Sequence, residues 1–94
     1  MRTIYVAGRI TGMKNYNREA FAKASDKLRI AGWSVFNPAA ANLEGDPLPK
    51  IMAYCLMRVC EADAIAMLPG WYRSGGARIE WMLAKYLKLK ILYL

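Results

Sequence analysis

Four short, mainly apolar runs alternate with three segments of helical spacing along the 94 residues of this chain. Residues 3 to 7 read Thr-Ile-Tyr-Val-Ala, β-branched and aromatic throughout, and stop at Gly8. A strand with one wet face alternates polar and apolar residues, so a continuous run points to a strand covered on both faces. Residues 33–36, 64–68 and 89–93 supply the other three runs. Between them, Phe21, Ala24, Leu28 and Ala31 recur at helical spacing behind Asn17, a candidate N-cap, and Gly32 closes the segment. A second helix is expected over roughly 49–61, with Met52, Cys55, Leu56 and Val59 on one face. A third begins at the capping residue Ser74 and carries Ile79, Met82, Leu83, Tyr86 and Leu87 as its apolar stripe.

The order β-α-β-α-β-α-β implies a parallel sheet with right-handed crossovers and helices on both faces. One domain, 1–94, accounts for the whole length. In open sheets of this kind ligands bind beyond the carboxyl ends of the strands, at the point where strand order reverses. Three loops follow strand ends and become the candidate site: 8–16, 37–48 and 69–76.

Composition narrows the chemistry. The chain contains no histidine. That removes Ser-His-Asp and Cys-His machinery, zinc-protease helices and a histidine general base. Cys55 and Cys60 cannot form a four-ligand zinc site, and their spacing is not that of a redox pair; a reduced, buried pair is expected. No metal and no cofactor are implied. The apolar run 1–8 is too short for a signal peptide, and no stretch is long enough to span a bilayer. A cytoplasmic protein without membrane attachment is expected. The chain has 14 Lys and Arg against 7 Asp and Glu, a net charge of +7. The basic residues form no run and no nucleic-acid motif, which argues against a nucleic-acid partner. Arg9, Lys14, Arg73 and Arg78 fall in or beside the site loops and suit a small anionic ligand.

The first loop, Gly8-Arg9-Ile10-Thr11-Gly12, matches neither dinucleotide nor Walker fingerprints. Gly8 admits two readings, close approach to a ligand or a turn of positive φ. Ser74-Gly75-Gly76 offers free amides at a helix start, for a phosphate or a sugar hydroxyl, or else an ordinary serine cap. Trp71 and Tyr72 are candidates for stacking on a base, or for a lid over a small core. Glu80 lies about two turns into the third helix near Gly76, Ala77 and Ala84, all small. Space around it and a nearby helix N-terminus suit an ionised carboxylate acting as nucleophile; the alternative is a salt bridge to Arg73, Arg78 or Lys85.

Taken in order, Ile4-Tyr5-Val6-Ala7-Gly8, Thr11-Gly12, Asn15-Tyr16-Asn17, Phe21, Gly32-Trp33, Asn37-Pro38, Ala62-Asp63-Ala64-Ile65, Leu68-Pro69-Gly70-Trp71 and Ser74-Gly75-Gly76-Ala77-Arg78-Ile79-Glu80 cover nearly the whole chain. In these blocks the sequence resembles the nucleoside 2-deoxyribosyltransferase-like proteins, most closely their small phage-associated branch. The resemblance implies a small Rossmann-like three-layer fold with a four-stranded, mainly parallel sheet. It implies action on N-glycosidic bonds of nucleosides or nucleotides, as hydrolase or deoxyribosyltransferase, in the host cytoplasm if phage-encoded. A glutamate at the position of Glu80 attacks the anomeric carbon in that superfamily, and a glycosyl ester passes to a base or to water. Tyr5 or Tyr16 would orient the sugar or the carboxylate. The resemblance and the loops together nominate Glu80 and Tyr5 for catalysis, and Gly8, Arg9, Tyr16, Asn37, Gly70, Trp71, Ser74 and Gly76 for substrate. Relatives are often homo-oligomers, and Trp81 beside the third-helix stripe suggests dimerisation there.

One departure stands out. Active members carry an aspartate on the second helix, six or eight residues before the aspartate matching Asp63. Here those positions hold Met57 and Cys55. Glu61 and Asp63 suit structural positions, and Arg58 beside the gap is a candidate phosphate holder. Leaving-group protonation is worth about 10²–10⁴-fold in rate. Without it the expectation is a slow enzyme, or a module that binds a nucleotide or nucleotide-derived signal without turning it over.

Overall fold

The computed structural model describes residues 2–41, 43 and 45–94. Met1 of the first apolar run and Asn42 and Glu44 of the middle loop lie outside the described residues. The elements are β1 (Thr3–Ala7), α1 (Arg18–Ile30), β2 (Ser34–Phe36), α2 (Leu48–Glu61), β3 (Ala64–Met67), α3 (Gly75–Tyr86) and β4 (Lys90–Tyr93). All four strands run parallel in the order β2-β1-β3-β4. The fold is therefore the small Rossmann-like α/β fold expected from the alternation of strands and helices. None of the helices is long and apolar enough to cross a membrane among the described residues.

Side-chain alternation along the central strands divides the core in two. Ile4, Val6, Ala64 and Ala66 face one side and pack with Phe21, Ala24 and Leu28 of α1. Tyr5, Ala7, Ile65 and Met67 face the other and pack with Cys55 and Val59 of α2 and Ala84 of α3. Because both faces are covered, the strands need no polar alternation, and their continuous apolar runs follow. At the amino ends of β1 and β3, Asp63 locks the pair. Its carboxylate accepts from the Thr3 amide at 2.8 Å, and its own amide donates to the Thr3 carbonyl at 2.9 Å. Asp63 is thus structural, as expected, and Glu61 pairs with Arg58 at 3.2 Å.

Helix ends follow local chemistry. At the end of α1, Gly32 (φ +99°) lets Trp33 donate to the Leu28 carbonyl and Gly32 to that of Arg29, both at 3.0 Å. The end of α3 repeats these bonds with Lys88 in the left-handed position (φ 61°). Prolines at the start of α2 replace amides that would have no partner. Asn17 does precede α1, but its side chain makes no cap. Its amide nitrogen donates instead to the Arg9 carbonyl at 2.9 Å, because the residue is held in a left-handed conformation.

The third helix departs from its expected facing. Ile79, Met82, Tyr86 and Leu87 are exposed, and the buried face is Ala77, Glu80 and Ala84. Residues two apart lie about 200° round a helix, so burying 77, 80 and 84 turns 79, 82 and 86 outward. Small residues win the inner face because α3 sits close to both the sheet and α2. The cysteines also separate: Cys55 is buried and Cys60 exposed, both free. Five positions place them about 140° apart on α2.

Candidate active site

The strand order sets the location. β1 connects through α1 to one side of itself, while β3 connects through α3 to the other. The chain therefore diverges above the carboxyl ends of β1 and β3, and a crevice opens there. A cleft of about 320 Å³ occupies this place. It is walled by the segment after β1, Pro38 and Ala39 after β2, the first half of α2, and the start of α3. That volume falls within the range of small-molecule sites.

Tyr5 and Glu80 meet in its buried wall. Tyr5 is the middle residue of the central strand, and strand alternation turns it toward α2 and α3. Glu80 reaches the same point from α3. The Tyr5 hydroxyl donates to Glu80 Oε2 at 2.7 Å, and the two residues are 1 % and 6 % exposed. Phe36 stacks on the Tyr5 ring at 5.6 Å and fixes its plane. The Cys55 thiol completes the group from α2, interacting with the Tyr5 hydroxyl. Of the two positions where an acid was expected, it is therefore Cys55 that occupies the site; Met57 is exposed and does not line the cleft.

The electrostatics differ from the sequence expectation. Burial raises the Glu80 carboxyl from its ordinary 4.5 to about 7, against the opposing pull of the Tyr5 hydrogen bond. The helix N-terminus does not restore the ionised form, because Glu80 lies in the second turn and a helix dipole acts mainly within the first. Tyr5 is held well above its ordinary value, by burial and then by Glu80 and Cys55. Burial also pushes the Cys55 thiol up, with Tyr5 opposing and Glu80 adding to the rise. None of the expected salt-bridge partners of Glu80 pairs with it among the described residues.

Of the nominated substrate residues, the structure brings Gly8, Tyr16, Ser74 and Gly76 to the cleft. Gly8 has no positive φ. Its hydrogen faces Leu68, and an added Cβ would stand 2.8 Å from Leu68 Cδ1. The glycine thus lets the ends of β1 and β3 close together at the cleft wall. Tyr16 sits in a run of three left-handed residues, Asn15, Tyr16 and Asn17 (φ 52°, 55° and 59°), anchored by the Asn17–Arg9 bond. Such geometry costs of order 1–3 kcal/mol per residue, and here it carries a ring to the cleft mouth. Ser74 Oγ accepts from the Ala77 amide at 3.2 Å, so the serine caps α3 while also lining the cleft.

Four nominated residues lie outside the described cleft lining. Arg9 does not line the cleft; its guanidinium lies over Gly12 and its carbonyl anchors Asn17. Asn37 accepts from the Ala39 amide at 3.0 Å and shapes the turn that presents Pro38 and Ala39. Gly70 supplies a left-handed turn (φ 79°) outside the cleft. Trp71 is the lid of the alternative reading. Its ring lies 5.2 Å from Trp81 and 6.4 Å from Tyr93, which accepts from Trp81 Nε1 at 2.9 Å, and together they seal the α3–β4 seam. Lys14, Arg73 and Arg78 are likewise absent from the described lining. Arg58 lies over the Phe36 ring at 4.4 Å and does not line the cleft.

Sequence reasoning missed Thr11 and an apolar wall that includes Ile10, Leu43, Leu48, Ile51 and Met52. Thr11 had a signal, as a hydroxyl between the strand end and Gly12. The apolar residues had none that separates them from core.

A family model described as a domain of unknown function (DUF4406) matches residues 2–93. No curated protein matches the chain.

Proposed function

The chain belongs to this DUF4406 family, and we propose that it cleaves or transfers at the N-glycosidic bond of a nucleoside or nucleotide, with Glu80 as nucleophile. The observation that carries the reading is the buried Glu80 carboxylate, held by the Tyr5 hydroxyl at 2.7 Å in the wall of a nucleoside-sized cleft. The hydrogen bond fixes one carboxylate oxygen and leaves the other to attack an anomeric carbon. The electron pair of the C1′–N bond then goes to the departing base. Water or a second base displaces the ester, restoring the carboxylate. With its carboxyl raised by burial to about 7, Glu80 has its anion within reach at neutral pH. Tyr5 positions the nucleophile, and the α3 amide at Gly76, which has no carbonyl a turn earlier in the helix, is available to a 5′-hydroxyl or phosphate.

The sequence likeness to nucleoside 2-deoxyribosyltransferase-like proteins agrees with this placement of the carboxylate. The same reading has the chain acting in the cytoplasm as a homo-oligomer, paired through the exposed row Ile79, Met82 and Tyr86 of α3. The test is base release from a broad panel of nucleosides and nucleotides, followed by chromatography. Release by the intact protein that disappears in Glu80→Gln supports the reading, and silence across the panel overturns it. A second reading, a binding module that retains its nucleotide, is favoured by the lack of a second carboxylate in the described cleft lining. Recovery of an unmodified nucleotide from the purified protein would select it.

A further inference from the structure

An N-glycosidic bond breaks only if the departing nitrogen can accept an electron pair. A neutral purine or pyrimidine leaves as an anion unless an acid protonates it, a service worth about 10²–10⁴-fold. The described lining of the cleft offers four titratable side chains, Tyr5, Tyr16, Cys55 and Glu80. Glu80 is committed as nucleophile, and Tyr5 already donates its proton to Glu80. Cys55 is a buried thiol that holds its proton more tightly than usual. Tyr16 is a phenol at the mouth, 45 % exposed. None of these is a strong acid placed for a leaving base. The second feature is the charge around the cleft. No lysine or arginine lines it among the described residues, although the chain carries 14 of them. A positive charge inside would touch no cationic side chain of the described lining, and would find a carboxylate and aromatic rings.

One class of substrate fits both features. Resting on the glycosidic reading above, we propose that the cleft takes an N-glycoside whose base is already cationic, a pyridinium or N7-alkylated purine nucleoside. The bond from a Glu80 oxygen to C1′ forms as the C1′–N bond breaks. The released electron pair stays on the ring nitrogen and cancels its positive charge, so the base departs neutral and needs no proton. Water then adds at C1′, which frees the Glu80 carboxylate and releases one proton. The sum is cationic nucleoside plus water giving free sugar, neutral base and a proton, with no change of oxidation state. The cation also favours the ionised carboxylate, so substrate binding raises the fraction of active nucleophile.

The experiment compares 7-methylguanosine with guanosine, and nicotinamide riboside with adenosine, each corrected for its own spontaneous loss of base. The expected kcat/KM is at least 100-fold higher for the cationic member of each pair, the lower bound of what an acid supplies. A ratio below 100 with measurable cleavage of the neutral nucleosides overturns this inference and leaves the glycosidic reading standing. Absence of cleavage for all four overturns both. Cys55→Asp, which places a carboxyl beside Tyr5, supplies the missing acid. In a variant that melts cooperatively, it should raise guanosine cleavage and narrow the ratio at least tenfold. An unchanged ratio in that folded variant overturns the inference; where the variant does not fold, the wild-type ratio decides.

Discussion

Replacing Glu80 by Gln should make the protein more stable at pH 8 and leave it unchanged near pH 4.5. Glu80 is 6 % exposed, and burial holds its carboxyl at about 7 where the unfolded chain has the ordinary 4.5. Between these values the folded protein keeps a proton that the unfolded chain has lost. The stability linked to Glu80 is therefore fully present below about 4.5, falls as pH rises toward 7, and stays low above it. At 1.36 kcal/mol for each tenfold change in proton affinity, the whole fall is about 3 kcal/mol. Glutamine has nearly the shape of the protonated acid, and its carbonyl can accept the Tyr5 hydroxyl in the same way. It cannot ionise, so the variant escapes the fall. Urea titrations of both proteins at several pH values, read as a difference, cancel every other titrating group. Tyr5 from β1 and Cys55 from α2 face Glu80, and both stay protonated through this window because burial raises them. The expected difference grows from near zero at pH 4.5 to about 3 kcal/mol at pH 8, in favour of glutamine. A flat difference would refute the claim that the carboxyl is desolvated in the fold.

Other perturbations test separate parts of the account. Tyr5→Phe removes the hydrogen bond that favours the charged carboxylate, so the Glu80 titration should move further above 7, visible as an upward shift of the acid limb of any pH–rate profile. Gly8→Ala places a methyl 2.8 Å from Leu68 and should destabilise the domain by about 1–3 kcal/mol, measured by urea midpoint. Lys88→Gly relieves the left-handed residue that ends α3 and should stabilise it by roughly 1 kcal/mol in the same assay.

The sequence made the scaffold legible where one local rule decided the outcome. Thr3–Ala7 and Ala64–Met67 read as buried strands because the first is apolar after Thr3 and the second is apolar throughout. Gly32 marked a helix end because the bond pattern there needs a left-handed residue. Periodicity failed on α3, where two faces compete. Ile79, Met82 and Tyr86 make the more apolar stripe, yet Gly76, Ala77 and Ala84 make the face that can approach the sheet, and close approach prevailed. That same preference carries Glu80 inward, so the residue singled out for its small neighbours is buried by them. Its ionisation is governed by burial, because the helix dipole fades before the second turn where Glu80 lies. Arg9, Arg73 and Arg78 fall in or beside the site loops yet outside the described lining, because a loop position does not say which way a side chain turns. Asn37 and Trp71 illustrate the same limit: their motifs were visible, while their use in a turn and a seam is a matter of tertiary packing.

The most direct test of Glu80 as nucleophile is to trap the glycosyl ester. A nucleoside bearing fluorine at C2′ destabilises positive charge at C1′ and slows both steps of a double displacement, so the ester accumulates if its base leaves readily. Incubation of the intact protein with a 2′-fluoro-2′-deoxy nucleoside of nicotinamide, followed by mass spectrometry and peptide mapping, reads the adduct. The account predicts one fluorodeoxyribosyl group per chain, on Glu80 and absent from Glu80→Gln. Release of base with the adduct on another residue, or with none at any time point, would contradict it.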